Sequence, residues 1–217
     1  QNCFMLEAFG EALAISSGYY DYYSSPHHAG WTRQTKARNG VTFDGGKGQI
    51  RGGEAVGRIT HFSTDEDFDI AIGDATAAYP GFVKAERTVV HVRPGIFVIR
   101  DANVDKNEHI FEYNLHAFKP GAFDEKAQTV TLMMPKAELE VRFLADKPWT
   151  FEAFDTFPVA PQPSPRRPEQ WHFRASAPEK SPAMDLLTVL LPYRVDEREK
   201  LPELKKLADG VEFTFKD

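Results

Sequence analysis

Segment after segment of this chain alternates apolar and polar residues with a period of two, which restricts it to strands that bury one face. Ala137, Leu139, Val141 and Phe143 interleave with Glu138, Glu140 and Arg142, as expected where one side of a strand meets a core and the other meets water. The same rhythm runs through VGRITHFS, FDIAIGDA, HIFEYNLHAF, QTVTLMMP, WTFEAF and WHFRASA. RTVVHVRPGIFVIRD reads as a hairpin turning at Pro94 and Gly95, and CFMLEAF with EALAIS as another turning at Gly10. DLLTVLLPY is almost continuously apolar and suits a central strand covered on both sides. Roughly a dozen strands with short links predict an all-β fold, a large antiparallel two-sheet β-sandwich with little helix. The one helical expectation is EREKLPELKKLADG, limited by Pro202 and closed by Gly210 before a last strand, VEFTF.

A length of 217 residues supports a single domain, 1–217. With 41% hydrophobic and 27% charged residues the composition is that of a soluble globular chain, and no apolar run approaches the ~20 residues of a membrane span. The lone Cys3 excludes an internal disulfide and leaves the compartment open. Gln1 leads straight into the first hairpin without a signal peptide, which predicts a C-terminal piece of a longer protein. The proline-rich stretch VAPQPSPRRPEQ is expected to be a solvated surface loop with Arg166 and Arg167 exposed.

Residues 16–49 break the alternation. They gather Tyr19, Tyr20, Tyr22, Tyr23, His27, His28, Trp31, Arg33, Lys36 and Arg38 with little apolar periodicity. From His27 to Arg51 the only acid among the basic residues is Asp44, inside a chain of net charge −6. A local cationic, aromatic loop on an acidic protein points to an anionic or sugar-like ligand; nucleic acid, which asks for a broad basic face, is not indicated. A long solvated loop pinned by its tyrosines accounts for the composition equally well. Gly45, Gly46, Lys47 and Gly48 invite comparison with phosphate loops, but the GxxxxGK[ST] spacing and a following helix are missing, so a tight turn is expected.

The run QNCFMLEAFGEALAISSGYYDYYSSPHHAGWTRQTKARNGVTFDGGKGQ, followed by RTVVHVRPGIFVIRDA and HIFEYNLHAF, resembles the C-terminal β-sheet region of the heparinase II/III-like polysaccharide lyases. That group includes exo-acting oligoalginate lyases, and the resemblance covers at least the first half of the chain. It implies a sandwich beside an N-terminal α/α toroid of the same parent protein, with the active site in the cleft between them. It also implies a periplasmic or secreted location and β-elimination on acidic polysaccharides or oligosaccharides that contain uronic acid. Such a reaction removes a proton beside a sugar carboxylate, so the site must neutralise that carboxylate and supply a base. The resemblance puts the catalytic groups upstream of this chain, which implies an incomplete active site and no catalytic residue here.

The candidate substrate-binding residues are Tyr20, Tyr22, His27, His28, Trp31, Arg33 and Arg38. Neighbours in extended chain face opposite ways, so one of the two histidines is expected to meet substrate and the other to be hydrogen-bonded internally. The arginines suit a carboxylate, or else brace the loop by pairing with Asp21 or Asp44. Asn2 either orients the site or is satisfied by its strand neighbours. His61, His91, His109, His116 and His172 are assigned to packing or surface. Relatives hold a structural zinc through an upstream region, an aspartate and a histidine; the matching positions are Ser16 and Arg38, which replace neither ligand, so no metal and no other cofactor is expected. The alternative reading is a non-catalytic carbohydrate-binding or scaffold module, with no membrane partner.

Overall fold

The alternating segments pair into sheets in a computed structural model that describes residues 1–162, 167–208 and 210–215. The strands are β1 (Leu6–Ala8), β2 (Glu11–Ala14), β3 (Gly40–Phe43), β4 (Arg58–Thr64), β5 (Phe68–Asp74), β6 (Phe82–Val92), β7 (Ile96–His109) and β8 (Phe111–Ala117). They continue as β9 (Gly121–Asp124), β10 (Thr129–Met133), β11 (Ala137–Phe143), β12 (Thr150–Phe154), β13 (Trp171–Ser176), β14 (Ser181–Arg194), β15 (Glu203–Lys206) and β16 (Val211–Thr214). An eight-stranded sheet runs in the order β4-β5-β6-β7-β14-β11-β10-β9, and a four-stranded sheet in the order β12-β13-β8-β3. Every pairing is antiparallel, including the expected hairpins β1–β2 and β6–β7.

Period-two patterning explains the core directly. Leu139, Val141 and Phe143 of β11 and Leu132 of β10 meet Phe111, Tyr113 and Leu115 of β8 and Phe173 of β13. Each such side chain contributes about 1.5–3 kcal/mol by leaving water. In β14, consecutive residues Val189, Leu190 and Leu191 are all buried, as expected for a strand covered on both faces. The polar side of β8 is buried too: Trp31 of the excursion between β2 and β3 packs on His116, while β3 and the glycine turn after it hold Asn114 and Glu112. That cover distinguishes the excursion from a solvated loop.

Two expectations need correction. EREKLPELKKLADG is not a helix: Val195–Lys200 forms a 3-10 turn, and β15 then pairs with β16, setting Leu204 opposite Phe213. Pro202 lacks an N–H and disfavours a helical residue before it, so the leucine spacing never becomes a helical face. VEFT instead supplies hydrogen-bond partners. Arg167 is half-buried, its guanidinium over the Tyr19 ring and one nitrogen donating to Tyr20 O at 3.1 Å; Arg166 lies outside the described residues.

Candidate functional site

The excursion is fastened at its base. Asn39, fully buried, donates through Nδ2 to the carbonyls of Phe4 (2.8 Å) and Ile15 (3.0 Å), while its Oδ1 accepts the His116 N–H at 2.9 Å. Ser17 N–H donates to Ala37 O at 2.9 Å, closing the neck. Gly18, at φ +101, turns the chain where an added Cβ would stand 2.3 Å from Thr32 Cγ2. Beyond it Asp21 accepts hydrogen bonds from the Ser25 hydroxyl, Tyr22 N–H and Gln162 N–H, which hold its carboxyl well below the usual range. A single π-turn at His28–Thr32 and a 3-10 turn at Thr35–Ala37 complete the segment.

Those turns separate the candidate residues into an inner and an outer set. His27 is buried and uses both ring nitrogens: Nδ1 donates to Val159 O at 2.5 Å and Nε2 accepts from Tyr19 N–H at 3.2 Å. Trp31 is buried as well, donating its indole N–H to Ser17 Oγ at 2.9 Å and packing on Phe157, His116 and His172. On the outside, Tyr20 and Tyr22 are 69% and 51% exposed. The His28 ring lies against Tyr20 and Tyr23, with Nδ1 accepting Ser24 N–H at 3.0 Å.

Arg33 and Arg38 come together in a shallow recess of about 170 Å³, walled also by Gln1, Cys3, Thr32, Gln34, Thr35, Gln49 and Ile50. They differ in kind. Arg38 is committed to the chain, donating to the carbonyls of Thr32 (2.7 Å), Ala37 (3.3 Å) and Ser17 (3.4 Å). Arg33 is exposed at the end of the π-turn and has no side-chain partner among the described residues. Neither pairs with Asp21 or Asp44; the latter accepts from His109 Nδ1 at 2.8 Å. Beside the recess, Asn2 at φ +50 donates to Gly73 O (2.9 Å) and Ala85 O (3.3 Å), tying this edge to the larger sheet. Tyr20, Tyr22 and His28 are not among the recess walls.

Several polar residues at the base of the site carry no motif. Glu112 accepts the Thr42 hydroxyl and the N–H groups of Gly45 and Gly46, each at 2.8 Å, so the glycine turn already holds an internal carboxylate where a phosphate would sit. His116 and His172 are directly opposite each other on β8 and β13, with Nδ1 atoms 3.0 Å apart. Burial and the neighbouring ring hold His116 well below its ordinary value, and burial lowers His172 to about 4. Their signal was present as the polar half of HIFEYNLHAF and WHFRASA, but it becomes legible only once the two strands are paired. His61 and His91 are at the surface or half-buried, beside Ser63 and Asp69, and His109 is buried against Asp44.

At the Arg38 position a guanidinium, itself a cation, donates to three carbonyls, which does not suit that residue to ligate a metal. The profile of the heparinase II/III-like C-terminal family matches residues 1–200. The chain belongs to that family. As a heparinase II/III-like C-terminal chain it is similar in fold to solved lyases. A heparan sulfate lyase HepC mutant from Pedobacter heparinus superposes at a TM-score of 0.78 and 15% identity, over 99% of this chain and 35% of that one. A heparinase III crystal structure gives 0.77 and 18% identity, over 99% and 34%, and a second heparinase III gives 0.76 and 16%, over 95% and 34%. The chain thus spans about a third of the length of these structures. No curated protein sequence matches it.

Proposed function

We propose that this chain is the β-sandwich portion of a polysaccharide or oligosaccharide lyase that cleaves uronic-acid-containing glycans by β-elimination. The observation that carries the reading is Arg33, an exposed guanidinium without a side-chain partner among the described residues, held at a recess beside Arg38. A planar guanidinium can take a sugar carboxylate through two parallel hydrogen bonds, withdrawing charge from the carbon whose proton must leave. Arg38 reinforces the positive field while its hydrogen bonds fix the floor. Tyr20, Tyr22 and His28 present rings and a polar edge to further sugar units. His27 and Trp31 act from inside, holding the loop in shape. The base and acid come from an N-terminal α/α toroid of the same parent, which leaves the active site of this chain incomplete, and the parent is periplasmic or secreted. No zinc is bound at the Ser16 and Arg38 positions.

The test is turnover of alginate and heparin-like substrates by the full-length parent, followed by absorbance of the unsaturated product. Arg33→Ala is expected to lower kcat/KM by about 100-fold, the scale of one lost charge-stabilising contact, with no change in melting temperature. Unchanged turnover would overturn the assignment. A second reading, a non-catalytic carbohydrate-binding or scaffold module, is favoured by the inward commitment of Arg38, His27 and Trp31. It predicts that the Arg33 variant matches the wild type.

A further inference from the structure

Under the excursion His116 and His172, each 1% exposed, touch through facing nitrogens. At 3.0 Å one Nδ1 must donate and the other accept, so the contact requires exactly one proton between them. His172 Nδ1 also lies 3.4 Å from Ser17 Oγ, whose hydroxyl donates to Gln170 Oε1 at 3.1 Å and accepts the Trp31 indole N–H. Trp31 packs edge-on against both imidazoles, and the turn that carries it delivers Arg33 to the recess. We propose that His116 and His172 form a proton-sensitive latch holding residues 16–38 against the four-stranded sheet.

A second proton would turn the accepting nitrogen into a donor, leaving two N–H groups face to face at 3.0 Å. Neither Nε2 has a hydrogen-bond partner among the described residues, so a charged ring would lack an acceptor at that nitrogen. The surrounding charges divide. Arg38 opposes a charge on His116, while the carbonyls of Lys36 and Arg38 favour one. Asp155, after β12, favours a charge on His172. Lys36 sits over the Trp31 ring, and Arg174 of β13 is answered by Glu152 of β12. Burial outweighs these contributions and keeps both rings neutral at pH 7.

The linkage has one sign. The closed state depresses both values, so its stability is complete above the free-histidine value of about 6.5 and is lost as pH falls toward the closed-state values. For His172 alone, a drop from about 6.5 to about 4 makes opening roughly 20-fold more favourable at pH 5 than at pH 7. The latch stands without the lyase reading; only its consequence, acid release of the arginine recess, rests on it.

Hydrogen–deuterium exchange of the chain without any sugar tests the latch. After correction for intrinsic rates, amides of residues 16–38 are expected to open about 20-fold more often at pH 5 than at pH 7, while β10 and β11 keep their protection. In the double variant His116→Gln/His172→Gln, which can hydrogen-bond but not titrate, that difference should vanish. The same pH dependence in wild type and variant overturns the proposal, as does loop opening only in step with β10 and β11. Should the variant fail to fold, the imidazole C2 protons of the wild type decide by NMR. Titration of His172 near pH 4 and of His116 well below the free value, tracked by loop exchange, supports the latch, and titration of either near 6.5 overturns it.

Discussion

Arg87 and Asp101 show how a single residue can be both costly and indispensable. Their side chains form a bidentate pair inside the sandwich, Nε to Oδ1 at 2.8 Å and Nη2 to Oδ2 at 2.9 Å, and both are buried. Burial alone would penalise the Arg87 charge, but the Asp101 carboxylate more than compensates and holds the guanidinium protonated. Replacement by methionine leaves a carboxylate in the core without its partner. Arg87→Met is therefore expected to lower unfolding free energy by about 3–5 kcal/mol, read from urea denaturation. Nothing in RTVVHVRPGIFVIRD marks this pair, because period-two reading places Arg87 and Asp101 on a face without saying which residue lies opposite. The same limit hid the partnership of His116 with His172. By contrast, the basic character of the run that carries Arg33 was legible, while which of Arg33 and Arg38 turns inward was not, because the carbonyls that bind Arg38 are brought to it only by the turns.

At the level of elements, the excursion behaves as a small second core laid on the outer face of the four-stranded sheet. Phe157, from the loop after β12, packs on Tyr19, His27, Trp31 and His172, so two segments far apart in sequence fold as one unit. Composition announced an unusual loop but not its lid, because proline-rich chain carries no apolar period to match. Gly18 is where that unit is most sensitive: its φ is positive and the space for a side chain is filled by Thr32 and Trp31. Gly18→Ala is expected to cost about 1–3 kcal/mol and to expose the loop to limited proteolysis before the sheets are cut. The strand that replaced a helix teaches the converse. Leucine and lysine spacing is compatible with both structures, and the partner strand VEFT decided between them.

Across the whole molecule the two sheets are unequal, eight strands against four. Alternation correctly gave a sandwich, but it cannot count how many strands of one sheet find cover from the other. The surplus is visible at β4, where Ile59 and Phe62 are 73% and 65% exposed and no further strand pairs with its outer edge among the described residues. An apolar edge of this length is a template for another chain. Sedimentation velocity is expected to show concentration-dependent self-association of this chain, abolished by Phe62→Lys with the fold retained by circular dichroism. Absence of any association at high concentration would refute this. The unmatched half of the large sheet thus sets the handling of the molecule: its solubility ceiling depends on one flank, and a purification that neglects that flank selects for assemblies whose properties belong to the contact and not to the arginine recess.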